Sequence, residues 1–330
     1  MLVHAARGSF GASQTDPCVI RQPNHVECDM QNGTSHLEKL RPYLREGVAI
    51  EEIRGIPSVE IASPDEALAA NAYYFGQKEW MKDWLAFVHR YPEFRERWEA
   101  VVGSLDGKIV VDIGCGPGNV LASLGVRPAM AIGVDVARGS LEMAAKVGYI
   151  PLLADAHHLP LKSGIADIVM LNATLHHCVD MDRVLLECAR LVKTGGTLVL
   201  DHDPQVSAWD YRGLGMVMWK MRKPLYRWMN RGGHRAEGNQ QEWAERTEIH
   251  HRPGDGITEA MVREPLETAG FAVSVWPHNH AVGADILEGK MGRAKAKLRW
   301  GQRVSGIDPN SKEGALSLMV RAVKMDESSL

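Results

Sequence analysis

Paired cysteines are what this chain most clearly lacks. Its 330 residues include five cysteines, Cys18, Cys28, Cys115, Cys178 and Cys188. The number is odd and no two share a C-x-x-C spacing, which excludes a disulfide scaffold and points to a reducing compartment. Long apolar runs are missing too: nothing approaches the roughly 18 uncharged residues that span a bilayer. The opening segment, Met1 to Asp16, has no apolar core of the kind a secretory leader carries. The expectation is a cytoplasmic protein. Nor is there an excess of one charge. The formal net charge of -3 is unlike that of a generally cationic nucleic-acid binder, so nucleic acid is not the expected partner. Oligomeric state is not readable from the sequence.

The richest segment that is present is Val110-Val111-Asp112-Ile113-Gly114-Cys115-Gly116-Pro117-Gly118-Asn119. A β-branched apolar run ending on an acid reads as a buried parallel strand. The alternating glycines behind it let backbone approach a ligand, because glycine has no Cβ to collide with it. A dinucleotide site would space its glycines G-x-G-x-x-G, whereas here the third comes one residue early. That disfavours a nicotinamide enzyme and suits a nucleoside with an amino-acid tail. Three further strand-like runs follow: Ala131 to Asp135, Ile150 to Ala156 with Asp155 near its end, and Ala166 to Asn172 leading into Leu175-His176-His177. Asp135 lies about 20 residues beyond the first strand, where a carboxylate can accept ribose hydroxyls. Any one of these acids alone is as well explained as a helix cap or a solvated loop residue. Together they line one edge of a parallel sheet.

With these segments, and with Arg190-Leu191-Val192-Lys193-Thr194-Gly195-Gly196, the chain resembles the class I S-adenosylmethionine-dependent methyltransferases. The likeness spans roughly residues 108 to 203 and is nearest the branch that modifies quinones, sterols and antibiotics. It implies an α/β fold with a Rossmann-like, doubly wound, seven-stranded and mostly parallel sheet whose last strand is antiparallel. It implies S-adenosyl-L-methionine as cofactor, held by Asp112, Gly114, Cys115, Gly116, Gly118, Asp135, Val136, Asp155, Ala156 and Asn172. Within that set, Asp135 holds the ribose, Asp155 and Ala156 meet the adenine, and Asp112 and Asn172 serve the methionine end. The acceptor would be a small, partly apolar metabolite or lipid-like molecule, methylated on oxygen, carbon or nitrogen.

A hydroxyl or acidic carbon must lose a proton, and imidazole is poised for that near neutral pH. Candidates are His177 first, then His176, His202 and His250, with His251 beside the last; each has a plain alternative as a hydrogen-bonded loop residue. His157 and His158 follow the adenine-side acid and read as cofactor surroundings. Asn172 precedes Ala-Thr-Leu rather than Pro-Pro-aromatic, which argues against base-amino methylation. No acidic cluster for Mg²⁺ is recognisable, and no metal is expected. An RNA-modifying enzyme and a non-catalytic partner subunit are the competing functions.

Around this centre, residues 1–75 read as an N-terminal extension, irregular to Ser35, with a hairpin near Arg54-Gly55-Ile56-Pro57; it could be a degenerate zinc-ribbon-like module. Residues 76–330 would form the methyltransferase domain. Its insertion 209–248 is a candidate lid, and the Met-, Trp- and cation-rich stretch 216–229 suits either that lid or contact with an anionic membrane. A second, basic insertion, 278–312, reads as a solvated helix or an anion-binding surface. Asp180 should cap a helix from Met181 to Val192, and Pro265 should kink or restart the helix Thr258 to Gly270.

Overall fold

A computed structural model of the chain describes residues 34–61, 64–228 and 240–326. Cys18 and Cys28, the start of the N-terminal extension and Met229 of the candidate lid lie outside the described residues.

In chain order the elements are α1 (His36–Leu40), β1 (Glu51–Ile53), β2 (Ile56–Ser58), α2 (Glu66–Gly76), α3 (Lys78–Phe87) and α4 (Pro92–Val102). The central part follows: β3 (Ile109–Ile113), α5 (Asn119–Leu124), β4 (Met130–Asp135), α6 (Arg138–Val147), β5 (Ile150–Leu153), β6 (Ala166–Asn172), α7 (Met181–Leu191) and β7 (Val192–Asp201). The last part comprises α8 (Val206–Trp209), α9 (Gly213–Trp228), α10 (Gln240–Thr247), α11 (Glu259–Thr268), β8 (Phe271–His278), α12 (Ala296–Val304) and β9 (Ser317–Lys324). The strands form one sheet in the order β1-β2-β5-β4-β3-β6-β7-β9-β8. β3, β4, β5, β6 and β7 run parallel, and β9 lies antiparallel between β7 and β8.

Side chains alternate across this sheet and build a core on each face, as a doubly wound fold requires. Val111, Ile113, Val169, Leu171, Leu198 and Leu200 enter one cluster, with α7 and α11 above them. Val110, Ile168, Met170 and Val199 enter the other, against Phe94 and Trp98 of α4 and Leu141 of α6. Asp180 caps α7 as expected, accepting from the Arg183 amide at 2.9 Å. The chain leaves β3 to one side for β4 and β5, then returns to β6 on the other side. That reversal leaves a crevice at the carboxyl ends of β3 and β6.

Three expectations change. The sheet has nine strands rather than seven, because the hairpin β1–β2 adds to the edge of β5 through Ser58 and Leu153. The segment before residue 75 is therefore not separate from the nucleotide fold. Leu40 and Leu44 sit in the same core as Val134 and Leu161, and the Arg45 amide donates to Pro160 O at 2.8 Å. The boundary near residue 75 also falls inside α2. Pro265, finally, is carried within a continuous α11, which Thr258 caps by accepting from the Met261 amide. Proline at this depth loses one ladder bond without ending the helix.

The basic insertion is solvated as expected at Lys290, Arg293, Lys295, Lys297 and Arg303, with one exception. Arg299 of α12 is buried and donates to Pro309 O and Asn310 Oδ1, while Lys290 pairs with Asp285 and Glu288. In α9, Trp219 packs on Trp209 and Tyr211 and carries the Arg222 guanidinium 3.3 Å from its ring centre, while Leu214, Val217 and Met221 stay exposed. Among the described residues no helix is long and apolar enough to cross a membrane.

If the N-terminal arm belongs to the cooperative core, Leu40→Ala removes a fully buried side chain and lowers the unfolding free energy by about 2–5 kcal/mol. Urea denaturation measures this. A change below about 0.5 kcal/mol, the size of a surface effect, would show the arm to be peripheral.

Candidate active site

At the carboxyl end of β3 the chain turns under close constraint. Gly114 has φ +68°, and a Cβ there would lie 2.5 Å from Thr174 Cγ2. Thr174 in turn donates its hydroxyl to Ile113 O at 3.0 Å, clamping the end of β3 to the turn after β6. Gly116 has φ +53° with open space where a Cβ would stand, so its backbone faces the cavity. Gly118 also has a left-handed backbone, but a Cβ on it would press on Val147 and Tyr149 at 3.1–3.2 Å. Gly118 packs α5 against the fold and is not among the residues lining the cavity. The remaining nine expected cofactor residues, Asp112, Gly114, Cys115, Gly116, Asp135, Val136, Asp155, Ala156 and Asn172, all line it.

The acids differ in their surroundings. Asp135, at the end of β4, accepts from the Gly116 amide and the Ala137 amide, each at 2.8 Å. Burial raises its pKa, and those amides restrain the rise. Asp112 is buried and accepts the Tyr149 hydroxyl at 2.5 Å on Oδ2, while its Oδ1 has no partner. Burial pushes its carboxyl up to about 7, with Tyr149 opposing and Asp135 adding to the shift. Asp155 is held by the amide and the ring of His157. Burial would raise it, but the two His157 bonds win and its pKa is lowered. Asn172 donates to His89 Nδ1 at 3.3 Å and leaves Oδ1 buried without a partner.

The four candidate histidines divide. His176 and His177, in a single turn after β6, line the cavity. His176 Nδ1 donates to Asp203 Oδ1 at 2.7 Å, and His177 Nδ1 donates to Thr247 O at 2.6 Å. Burial, aided by the neighbouring His176, lowers the His177 pKa to about 4, so the ring is neutral. Burial would also lower His176, but Asp203 and Glu248 outweigh it and raise its pKa. His202 and His250 are not among the lining residues. His202 sits beyond the cavity wall against Tyr91 and His280, beside the buried Asp201, which accepts from Arg97, Trp98 and His278. His250 pairs with Asp255 at 3.1 Å. His157 lines the cavity and His158 does not.

Sequence reading missed the part of the roof that α2 supplies. Asp65, Leu68, Asn71 and Phe75 from α2 and its cap, Trp84 from α3, and His89 close the cavity from above. Their α-helical segment carries no motif, and its place over the crevice depends on a contact between backbones. Gly139 of α6 meets the Gly76 carbonyl where any Cβ would overlap it. Tyr149 and Glu248 were equally unmarked.

The raised Asp112 pKa has a stability consequence. In the unfolded chain this carboxyl titrates near 3.8, and in the folded protein near 7. Between those values the folded state holds a proton that the unfolded state has released. Stability from this group is therefore complete at acid pH and is lost as pH rises through about 7. Asp112→Asn abolishes that loss. Its advantage over the unaltered protein should grow by up to about 1.4 kcal/mol per pH unit between pH 4 and 7. Thermal melts across that range test it, and a pH-independent gap would contradict the assignment.

Residues 111–200 match the family described as a methyltransferase domain. The ubiquinone biosynthesis O-methyltransferase of Bordetella bronchiseptica is 35% identical over 120 residues, covering 33% of this chain and 48% of the relative. The demethylmenaquinone methyltransferase of Thermobifida fusca is 32% identical over 114 residues, covering 32% and 48%. This chain thus spans about half the length of the curated relatives it matches. Among solved structures, an S-adenosylmethionine-dependent methyltransferase of Thermotoga maritima aligns with 76% of this chain and 99% of its own at 21% identity and a TM-score of 0.45. The glycine turn, Asp112, Asp135, Asp155 and the histidine pair all fall inside residues 111–200, the segment that matches the methyltransferase domain family.

Proposed function

We propose that the cavity binds S-adenosylmethionine and that the chain transfers its methyl group to an oxygen of a small, quinone-like acceptor. One observation carries this reading. Bare backbone at Gly114 and Gly116, and carboxylates at or just beyond the ends of three neighbouring strands, open on a single cavity that ends at His176 and His177.

The residues fit such a cofactor. Asp112 Oδ1 and Asn172 Oδ1 are buried acceptors without donors, as an ammonium or amide-seeking group needs. Asp135 uses one bond on each oxygen and keeps lone pairs for ribose hydroxyls. Asp155 and Ala156 line the cavity just beyond β5, where they would meet an adenine edge. When bound, S-adenosylmethionine supplies a methyl already activated by its sulfonium charge. The protein's work is then to align the acceptor and exclude water. Phe75 and Trp84 provide the apolar cover, and Phe75 also packs edge-on against His177 at 5.4 Å. With burial lowering its pKa to about 4, His177 is neutral near pH 7 and serves through the lone pair on Nε2.

The acceptor class draws on the relatives, whose names refer to ubiquinone and menaquinone. An RNA substrate has less support, because Arg299 and Lys290 of the basic segment are already engaged within the fold.

Calorimetry with S-adenosylhomocysteine tests the cofactor assignment. Asp135→Ala removes charge-assisted bonds and should weaken binding about 10- to 100-fold. An unchanged affinity would remove Asp135 from the site. Transfer is read by mass spectrometry of a hydroxylated quinone incubated with methyl-labelled cofactor. His177→Ala should slow that transfer far more than it weakens S-adenosylhomocysteine.

A further inference from the structure

Two adjacent histidines at the cavity wall meet a carboxylate from a distant part of the sequence. One donor atom from each of His176, His177 and Glu248 lies within 4.8 Å of the other two. His176 and His177 follow β6, whereas Glu248 follows α10. Nothing in the sequence links them.

Their hydrogen bonding is unusual. Each imidazole has already committed its Nδ1 proton, His176 to Asp203 and His177 to Thr247 O. In its neutral form each ring then leaves Nε2 with a lone pair. The third member is a carboxylate, which also only accepts. His176 Nε2 and Glu248 Oε2 stand 3.6 Å apart, too far for a hydrogen bond. His176 Nε2 and Glu248 Oε2 thus face each other without a hydrogen bond, and His177 brings a third donor atom within 4.8 Å of both, an arrangement that a shared cation relieves. The outer contacts are of the kind that orient metal ligands: a carboxylate behind one histidine, a backbone carbonyl behind the other, and His251 Nδ1 donating to Glu248 Oε2 at 2.8 Å.

We propose that His176, His177 and Glu248 form a site for one divalent first-row transition ion, such as Zn²⁺, with its remaining positions open to the cavity. Two imidazoles and one carboxylate match the ligand preferences of such ions, and three protein ligands leave room for an exchangeable one. Bonds of about 2.0–2.2 Å draw the donor atoms nearer than they stand here, a closure of about 1 Å within reach of side-chain rotation. Because Glu248 belongs to the segment after α10, the ion would also tie that segment across the cavity to β6. Where the chain methylates an oxygen, a reading on which only this last point rests, the open positions suit an anionic acceptor oxygen.

The competing resolution is a proton. If His176 is an imidazolium lying between Asp203 and Glu248, no metal is needed.

The full chain, stripped with a chelator, is titrated with Co²⁺ by visible absorption and with Zn²⁺ by competition against a chromophoric chelator, without cofactor or acceptor. One ion per chain is expected, with Co²⁺ bands of low coordination. Glu248→Gln and His177→Gln should each weaken Zn²⁺ at least about 10-fold, and Asp203→Asn, acting through His176, about 10- to 100-fold. Circular dichroism confirms that each variant is folded. A variant that does not fold is replaced by Glu248→Asp, which keeps the charge but shortens the reach. Zn²⁺ affinity within threefold of the parent in all folded variants, or less than half an ion per chain, overturns the proposal. So does a nitrogen-15 spectrum showing both His176 nitrogens protonated in the presence of excess Zn²⁺. S-adenosylhomocysteine binding is measured separately, so loss of the metal site and loss of the methyltransferase reading are distinguishable.

Discussion

Backbone must come close to a ligand at the carboxyl end of β3, and the contact between Gly114 and Thr174 is what keeps that approach open. Any side chain at Gly114 would collide with Thr174, and its φ of +68° suits glycine. Thr174 cannot withdraw, because its hydroxyl holds Ile113 O. The end of β3, the Gly116 amide and the Asp135 carboxylate are thereby fixed relative to the turn that carries His176 and His177. The glycine turn and the histidine pair share one corner.

Behind that corner stands a second constraint. Arg97 and Asp201 are both fully buried and joined at 3.0 Å, and Asp201 also takes hydrogen bonds from Trp98 and His278. Burial alone would raise this carboxyl, but the surrounding cations hold it well below the usual range. A buried pair so fully bonded costs much to break and contributes position more than net stability. It joins α4, β7 and β8, and so fixes the wall from which the chain turns toward Asp203.

Two residues along, Asp203 does something different. Asp201 gathers His278 and the neighbouring His202 into the packed interior, and Asp203 orients His176 toward the cavity. Alternation past the end of β7 thus sorts the histidines. His202 and His176 look alike as sequence, each beside acids or another histidine at a strand end. Which side of the wall each faces depends on the direction of the acid that grips it.

The strands, their parallel order and the gathering of nine expected residues around one cavity were legible because each depends on local pattern: β-branched runs, acids at strand ends, and glycines where backbone must be bare. The capping of α7 by Asp180 was legible for the same reason. Gly118 stands outside the cavity lining, and in sequence a glycine that packs against Tyr149 looks the same as one that borders a cavity. The joining of β1 and β2 to the sheet, the roof formed by α2, and the meeting of Glu248 with His176 and His177 depend on contacts between segments tens of residues apart. Local residue preferences carry no information about such distances. Sequence alone determined that bare glycine backbone and acids would gather at one edge of a parallel sheet. Only the tertiary structure decided which histidines face it, since that choice is made by packing and by the orientation of buried carboxylates.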